Sequence, residues 1–138
     1  MTKSLTKLLA IPALLAGAVQ GLHFTNNIPV DAFYDVGSEF VLTWSPETRE
    51  DTFRLELASF LATPILVSPS GGPLGSPIYD FKSQTILLDA AVKFTASNYT
   101  WEIETIDNRT GGDWFYSFGA SWGFGSSSPR AFHLQASS

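Results

Sequence analysis

The sequence predicts an all-β fold, an antiparallel sandwich of about seven or eight short strands, and three observations carry that prediction. In Asn98-Tyr99-Thr100-Trp101-Glu102-Ile103-Glu104-Thr105, apolar residues fall at every second position with polar residues between them, the period of a strand with one face in a core and one in water. Other short alternating segments recur along the 138 residues, separated by clusters of Gly, Pro, Asn, Asp and Ser, the spacing of a sandwich or barrel. Aromatic residues make up 14% of the chain and there is no cysteine, so large buried rings must supply the core that disulfides often supplement in small extracellular domains.

Taken in order, Leu22-His23-Phe24-Thr25 alternates and reads as a short first strand, and Asn26-Asn27-Ile28-Pro29 as a turn. Asp35-Val36-Gly37-Ser38 is a second turn, and Phe40-Val41-Leu42-Thr43-Trp44 a core strand with Phe40, Leu42 and Trp44 inward. Ser45-Pro46-Glu47 has the form of a helix start, but Phe53-Arg54-Leu55-Glu56-Leu57 alternates strictly and Leu55 lies off any helical stripe, so a turn and a strand are expected. Ile65-Leu66-Val67 is a short apolar run. Residues 68–77 hold three prolines and three glycines, which forbid a ladder and predict a mobile loop within one domain. Residues 78–81 read as an edge piece, Gln84-Thr85-Ile86-Leu87-Leu88 as a strand, and residues 107–112 as a turn. Asp113-Trp114-Phe115-Tyr116-Ser117-Phe118 puts Trp114, Tyr116 and Phe118 on one side. Residues 119–129 form a Gly- and Ser-rich connection, and Arg130-Ala131-Phe132-His133-Leu134 closes the sheet. This is the layout of an immunoglobulin-like sandwich.

The first 21 residues read differently. Lys3 and Lys7 precede an apolar run over residues 8–19, and Ala16-Gly17-Ala18 and Gly21 are small. That order is a secretory signal peptide, and the run is shorter than the roughly 20 apolar residues a membrane span requires. Cleavage between Ala18 and Gly21 would leave a single domain over residues 22–138. Residues 132–138 lack the apolar tail of a lipid-anchor signal, so the expected product is released, with no membrane contact after cleavage. Loss of Lys3 and Lys7 would take the net charge from −5 to −7, which argues against nucleic acid and anionic membrane as partners. Two sequons for N-linked glycan, at Asn98 and Asn108, fit a secreted protein, and the strand alternation places Asn98 on the wet face.

The segments at Phe40 to Trp44, Phe53 to Leu57, Tyr99 to Ile103, Asp113 to Phe118 and Ser128 to Leu134 together resemble the N-terminal immunoglobulin-like domain of fungal cell-wall-synthesis proteins linked to beta-glucan assembly. That domain also occurs in Ser/Thr-rich, GPI-anchored wall proteins. The resemblance spans residues 22–134 and rests on spaced core aromatics. It implies a secreted glycoprotein of the fungal wall and offers no catalytic residues. The Pro/Gly segment 68–77 sits where the family has a short turn, and the family's Ser/Thr-rich stalk has no counterpart before Ser138.

Several patterns in the sequence invite a chemical reading. Gly119-Ala120-Ser121-Trp122-Gly123 matches the nucleophile-elbow motif of hydrolases, which needs a strand before it and a helix after it. A poor helix former follows, and no Asp or Glu occurs after Ser121. Glu102 and Glu104 share one strand face, where a glycosidase pair is one reading and a solvated outer face the other. Asp107, Asn108 and Asp113 offer oxygens of the kind calcium takes, but their spacing is that of a turn. His23 and His133, isolated from Cys and acidic neighbours in the sequence, read as sheet residues. No catalytic residue, cofactor or metal site is therefore expected. Trp122 and Phe124, in the Gly-rich connection, are the candidates for carbohydrate contact by ring stacking, unless they tuck under a loop and plug the end of the sandwich.

The sequence thus leads to a secreted, non-catalytic protein of the fungal cell wall that binds wall beta-glucan. The alternative is a free extracellular effector or recognition protein that binds a protein partner.

Overall fold

A computed structural model describes residues 22–137. The expected signal peptide, residues 1–21, lies outside them. Among the described residues the chain forms ten strands: β1 (Phe33–Asp35), β2 (Glu39–Thr43), β3 (Thr52–Leu61), β4 (Ile65–Ser68), β5 (Ile78–Asp80), β6 (Gln84–Lys93), β7 (Asn98–Glu102), β8 (Trp114–Trp122), β9 (Gly125–Ser127) and β10 (His133–Gln135). The predicted all-β sandwich is correct, with ten strands in place of the seven or eight expected and three of them, β3, β6 and β8, nine or ten residues long.

One layer is the antiparallel sheet β6-β3-β8-β9. Its inner face carries Phe53, Leu55 and Leu57 of β3 and Tyr116, Phe118 and Ala120 of β8, all buried. The strict alternation of Phe53 to Leu57 thus reports a strand, not a helix. The opposing layer is the antiparallel pair β2–β7, in which Phe40 faces Trp101 and Leu42 faces Tyr99. Phe40, Leu42, Trp44, Trp101 and Ile103 point inward. Rings close the gap between the layers: Phe40 stacks on Phe118 at 5.5 Å, Trp101 meets Phe118 edge-on at 5.3 Å, and Trp44 meets Phe53 edge-on at 5.3 Å. Phe132 lies among them, in contact with Tyr34, Phe40, Trp101, Tyr116 and Phe118.

Four expectations need correction. Residues 22–25 form no strand of their own and meet the chain at the end of β2 through the bridge Phe24–Trp44; Asn26, expected in a turn, instead bonds through its side chain to the Val41 carbonyl and the Thr43 N–H. The sheet is not wholly antiparallel, because β1 pairs with β10 in parallel, Phe33 opposite His133. β1 shows no alternation over its three residues and escapes a periodicity reading. Residues 119–122 are not a connection but the second half of β8, opposite β3 from Gly119–Glu56 to Ser121–Arg54. Ala120 is buried there between β3 and β9, and the small residues Gly119 and Ala120 imitate a loop in composition. Residues 125–127, also read as connection, form the edge strand β9.

One turn is pinned from below. The phenol oxygen of Tyr116 accepts the Ile106 N–H at 2.9 Å and donates to the Arg109 carbonyl at 2.7 Å. A tyrosine at a strand start that bonds to backbone a few residues upstream is a recurrent device of immunoglobulin-like sandwiches. It holds Asp107 and Asn108 in the left-handed region, φ 55° and 57°, where Asn and Asp are the most tolerated non-glycine residues.

Candidate functional site

Three chain crossings meet at one end of the sandwich. The first is the connection from β2 to β3, which carries Arg49 and Asp51. The second is the 3₁₀ turn Phe94–Ala96, which passes the chain from β6 to β7. The third is the tight β8–β9 hairpin, closed by Trp122 opposite Gly125 with Gly123 and Phe124 at its tip. Between them lies an open cleft of about 380 Å³ lined by Arg49, Asp51, Trp122, Gly123, Phe124 and Gly125.

Behind this lining lies Phe94, fully buried. Its carbonyl accepts the Trp44 indole N–H at 2.9 Å, and Trp122 meets its ring edge-on at 5.5 Å. The Arg49 guanidinium lies over the same ring, 4.2 Å from its centroid. Arg49 is also gripped in the plane of its fork: Nε and Nη2 donate to the two carboxylate oxygens of Asp51, each at 2.9 Å. This bidentate bond raises the Arg49 pKa and is the main cause of the Asp51 carboxyl lying below its usual range. Both groups are charged at neutral pH. An exposed pair of this kind contributes little to stability. Its effect is to fix a planar array in which three of the five guanidinium N–H groups remain uncommitted to Asp51.

The two rings predicted to contact carbohydrate fare differently. Phe124 is fully exposed at the hairpin tip. Trp122 is half-buried and packs on the core, so for this ring the plugging alternative describes its place. Its indole lies against Gly125: a Cβ there would sit 2.5 Å from Cε2 and Nε1. Gly125 is thus required by close approach, not by backbone conformation.

The other residues singled out from sequence are not brought into this cleft. Ser121 lies on β8 opposite Arg54 and Ser126, and the chain runs on into β9, so the strand-to-helix elbow does not form. Glu102 is exposed and faces Glu39 across β2–β7, and Glu104 is exposed beyond the strand end; both stand on a solvated face. Asp107 and Asn108 serve the left-handed turn, and among the described residues no group of three or more His, Asp or Glu could hold a metal ion. Asn98 and Asn108 are both exposed, Asn98 at the first position of β7 with its amide donating to the Ala96 carbonyl at 3.2 Å.

His133 does have an acidic neighbour, contrary to the sequence reading. It is buried in β10, stacked between Phe33 at 4.7 Å and Phe115 at 4.3 Å. Nδ1 contacts the Trp114 carbonyl at 2.9 Å and Nε2 an Asp31 carboxylate oxygen at 3.3 Å. Asp31 stands 102 residues away in sequence, beyond any local pattern.

Sequence reasoning passed over Arg49, Asp51 and Phe94. The signal available was Arg49-Glu50-Asp51 in a turn, which reads as ordinary surface charge. No family model matches this chain, and neither a curated protein nor a solved structure matches it.

Proposed function

We propose that this protein is a non-catalytic carbohydrate-binding module of the fungal cell wall, secreted and glycosylated at Asn98 and Asn108, that takes a wall beta-glucan chain in the cleft beside Phe124. The observation that carries this reading is the pairing of a bare aromatic face at Phe124 with the flat Arg49–Asp51 fork across the same open cleft. A pyranose presents an apolar C–H face and a rim of hydroxyls. Phe124 suits the first, and the free guanidinium N–H groups and carboxylate lone pairs suit the second. An open cleft without an enclosed centre fits an extended polymer better than a small molecule. The likeness to the beta-glucan-assembly domain family, carried by Trp44, Trp101 and the Trp114 strand, agrees with this choice of polymer.

The test is retention on insoluble beta-glucan, with chitin as the control polysaccharide. Phe124→Ala and Arg49→Ala are each expected to release the protein into the supernatant without altering its melting. Retention unchanged in both variants would sink the assignment of the cleft. The other expectation, a freely diffusing recognition protein, would have to meet its protein partner through apolar surface elsewhere, and retention of the wild type on neither polysaccharide would favour it.

A further inference from the structure

A second surface stands apart from the cleft. Strands β4 and β5 pair only with each other, and the hairpin they form is tied to the sandwich at its base by the Leu61 N–H donating to the Phe81 carbonyl at 2.8 Å. A lone two-stranded hairpin is marginal in water. This one also exposes Ile65, Leu66 and Val67 in succession, so both of its faces are apolar. Tyr79 and Phe81 add two exposed rings, and Leu74 projects bare from the tip with φ 56°. The edge strand β6 that follows the hairpin exposes Ile86 and Leu87 as well. Eight of these apolar residues, Ile78 included, are 41–61% exposed, and Leu74 is fully so. With on the order of 150–200 Å² per fully exposed large side chain, they sum to roughly 800 Å² over both faces and the tip, so the one face and tip that a partner can cover offer roughly 400–500 Å², a share that suits a weak dimer.

Charge identifies the occupant. Between residues 62 and 88 the only charged groups are Asp80 and Lys82, which neutralise each other at 3.2 Å. The rest of the chain carries the whole acidic excess. A partner selected by charge finds no handle on this hairpin, and an anionic bilayer meets an acidic body behind it. A second copy finds a match. Brought together about a two-fold axis, one neutral apolar hairpin covers the other, as an isologous contact requires, and the protrusion keeps the acidic bodies apart. We propose that the β4–β5 hairpin is the contact of a homodimer, with the two clefts left free.

Sedimentation equilibrium of the purified full chain tests this. The wild type is expected to approach twice the monomer mass as concentration rises. The double variant Leu66→Asp with Tyr79→Asp should remain monomeric with an unchanged near-ultraviolet circular dichroism spectrum. Leu74→Asp, at a tip on which no internal packing depends, should weaken association by about tenfold or more. A monomeric wild type throughout overturns the proposal, as does a dimer that survives both variants. A wild type that stays monomeric and floats with phosphatidylcholine vesicles overturns it too and gives the hairpin to lipid. Glucan retention of the monomeric variant is a separate readout: its loss or survival bears on the cleft and not on the dimer.

Discussion

The indole N–H of Trp44 donates to the carbonyl oxygen of Phe94, 2.9 Å away, and this bond joins the chain just after β2 to the residue that backs the cleft. Trp44 is buried and meets Phe24 and Phe53 edge-on. Trp44→Ala is expected to cost about 3–5 kcal/mol, enough to unfold a domain that has no disulfide. Trp44→Phe retains most of the buried area but strands the carbonyl, at about 1–3 kcal/mol. Urea unfolding of both variants checks this; a Trp44→Phe variant as stable as the wild type would mean that the hydrogen bond contributes nothing. Trp101→Ala, which empties the space beside Phe118 and Phe132, should fall in the same range as Trp44→Ala.

Tyr116 sets an alkaline limit. Burial raises its phenol above the ordinary value of 10.0. The unfolded chain therefore loses this proton at a lower pH than the folded one, and stability falls as pH rises from 10.0 toward the folded value. Tyr116→Phe removes that slope. At neutral pH it costs about 1–3 kcal/mol for each of the Ile106 N–H and Arg109 carbonyl groups left unpaired. Chemical denaturation at a series of alkaline pH values separates the two effects. An undiminished alkaline slope in the variant would assign it to another tyrosine.

Gly125→Ala tests how Trp122 is seated. The added methyl would overlap the indole at 2.5 Å, so the ring must swing away from Phe94. Overpacking of this kind costs about 1–3 kcal/mol. A red shift in tryptophan emission and weaker glucan retention are expected together. An unmoved emission maximum would show that the hairpin shifts and the ring does not.

The cleft should tolerate mild acid. The Arg49 bond holds the Asp51 carboxyl below its usual range, so the fork is intact above the ordinary carboxylate pKa and is lost only as pH falls through the lowered folded value. Glucan retention is expected to stay level from neutral pH into weak acid and to drop below the ordinary carboxylate range. In Arg49→Ala the residual retention should be insensitive to pH across that window. A wild-type drop at pH 5 to 6 would point to a group other than Asp51.

Much of the core was legible because period two is a local signal. Phe53, Leu55 and Leu57, the Phe40 to Trp44 strand and Trp101 with Ile103 all turn inward as their spacing requires. The parallel β1–β10 pair was not legible, since its strands are three residues long and stand 100 residues apart. Arg109 was hidden by its own motif. Inside the second sequon it reads as surface, yet it is buried, with its guanidinium 4.0 Å from the centre of the Trp114 ring and Nη1 donating to the Ser59 and Lys82 carbonyls. The cleft was half legible: Phe124 stood out as a ring among glycines, but Arg49, Asp51 and Phe94 reach it only because two crossings between sheets end at the same place.

The parallel β1–β10 pair has a mechanical consequence. Tension that enters ahead of Phe33 and leaves after Gln135 first strips the Phe24–Trp44 bridge and the Asn26 bonds to β2. It then pulls β1 and β10 in opposite directions along their common axis. Loaded that way, their hydrogen bonds must slide apart together instead of opening one at a time like a zip. The chain is thus built to resist stretching between its two ends more strongly than its few terminal contacts suggest.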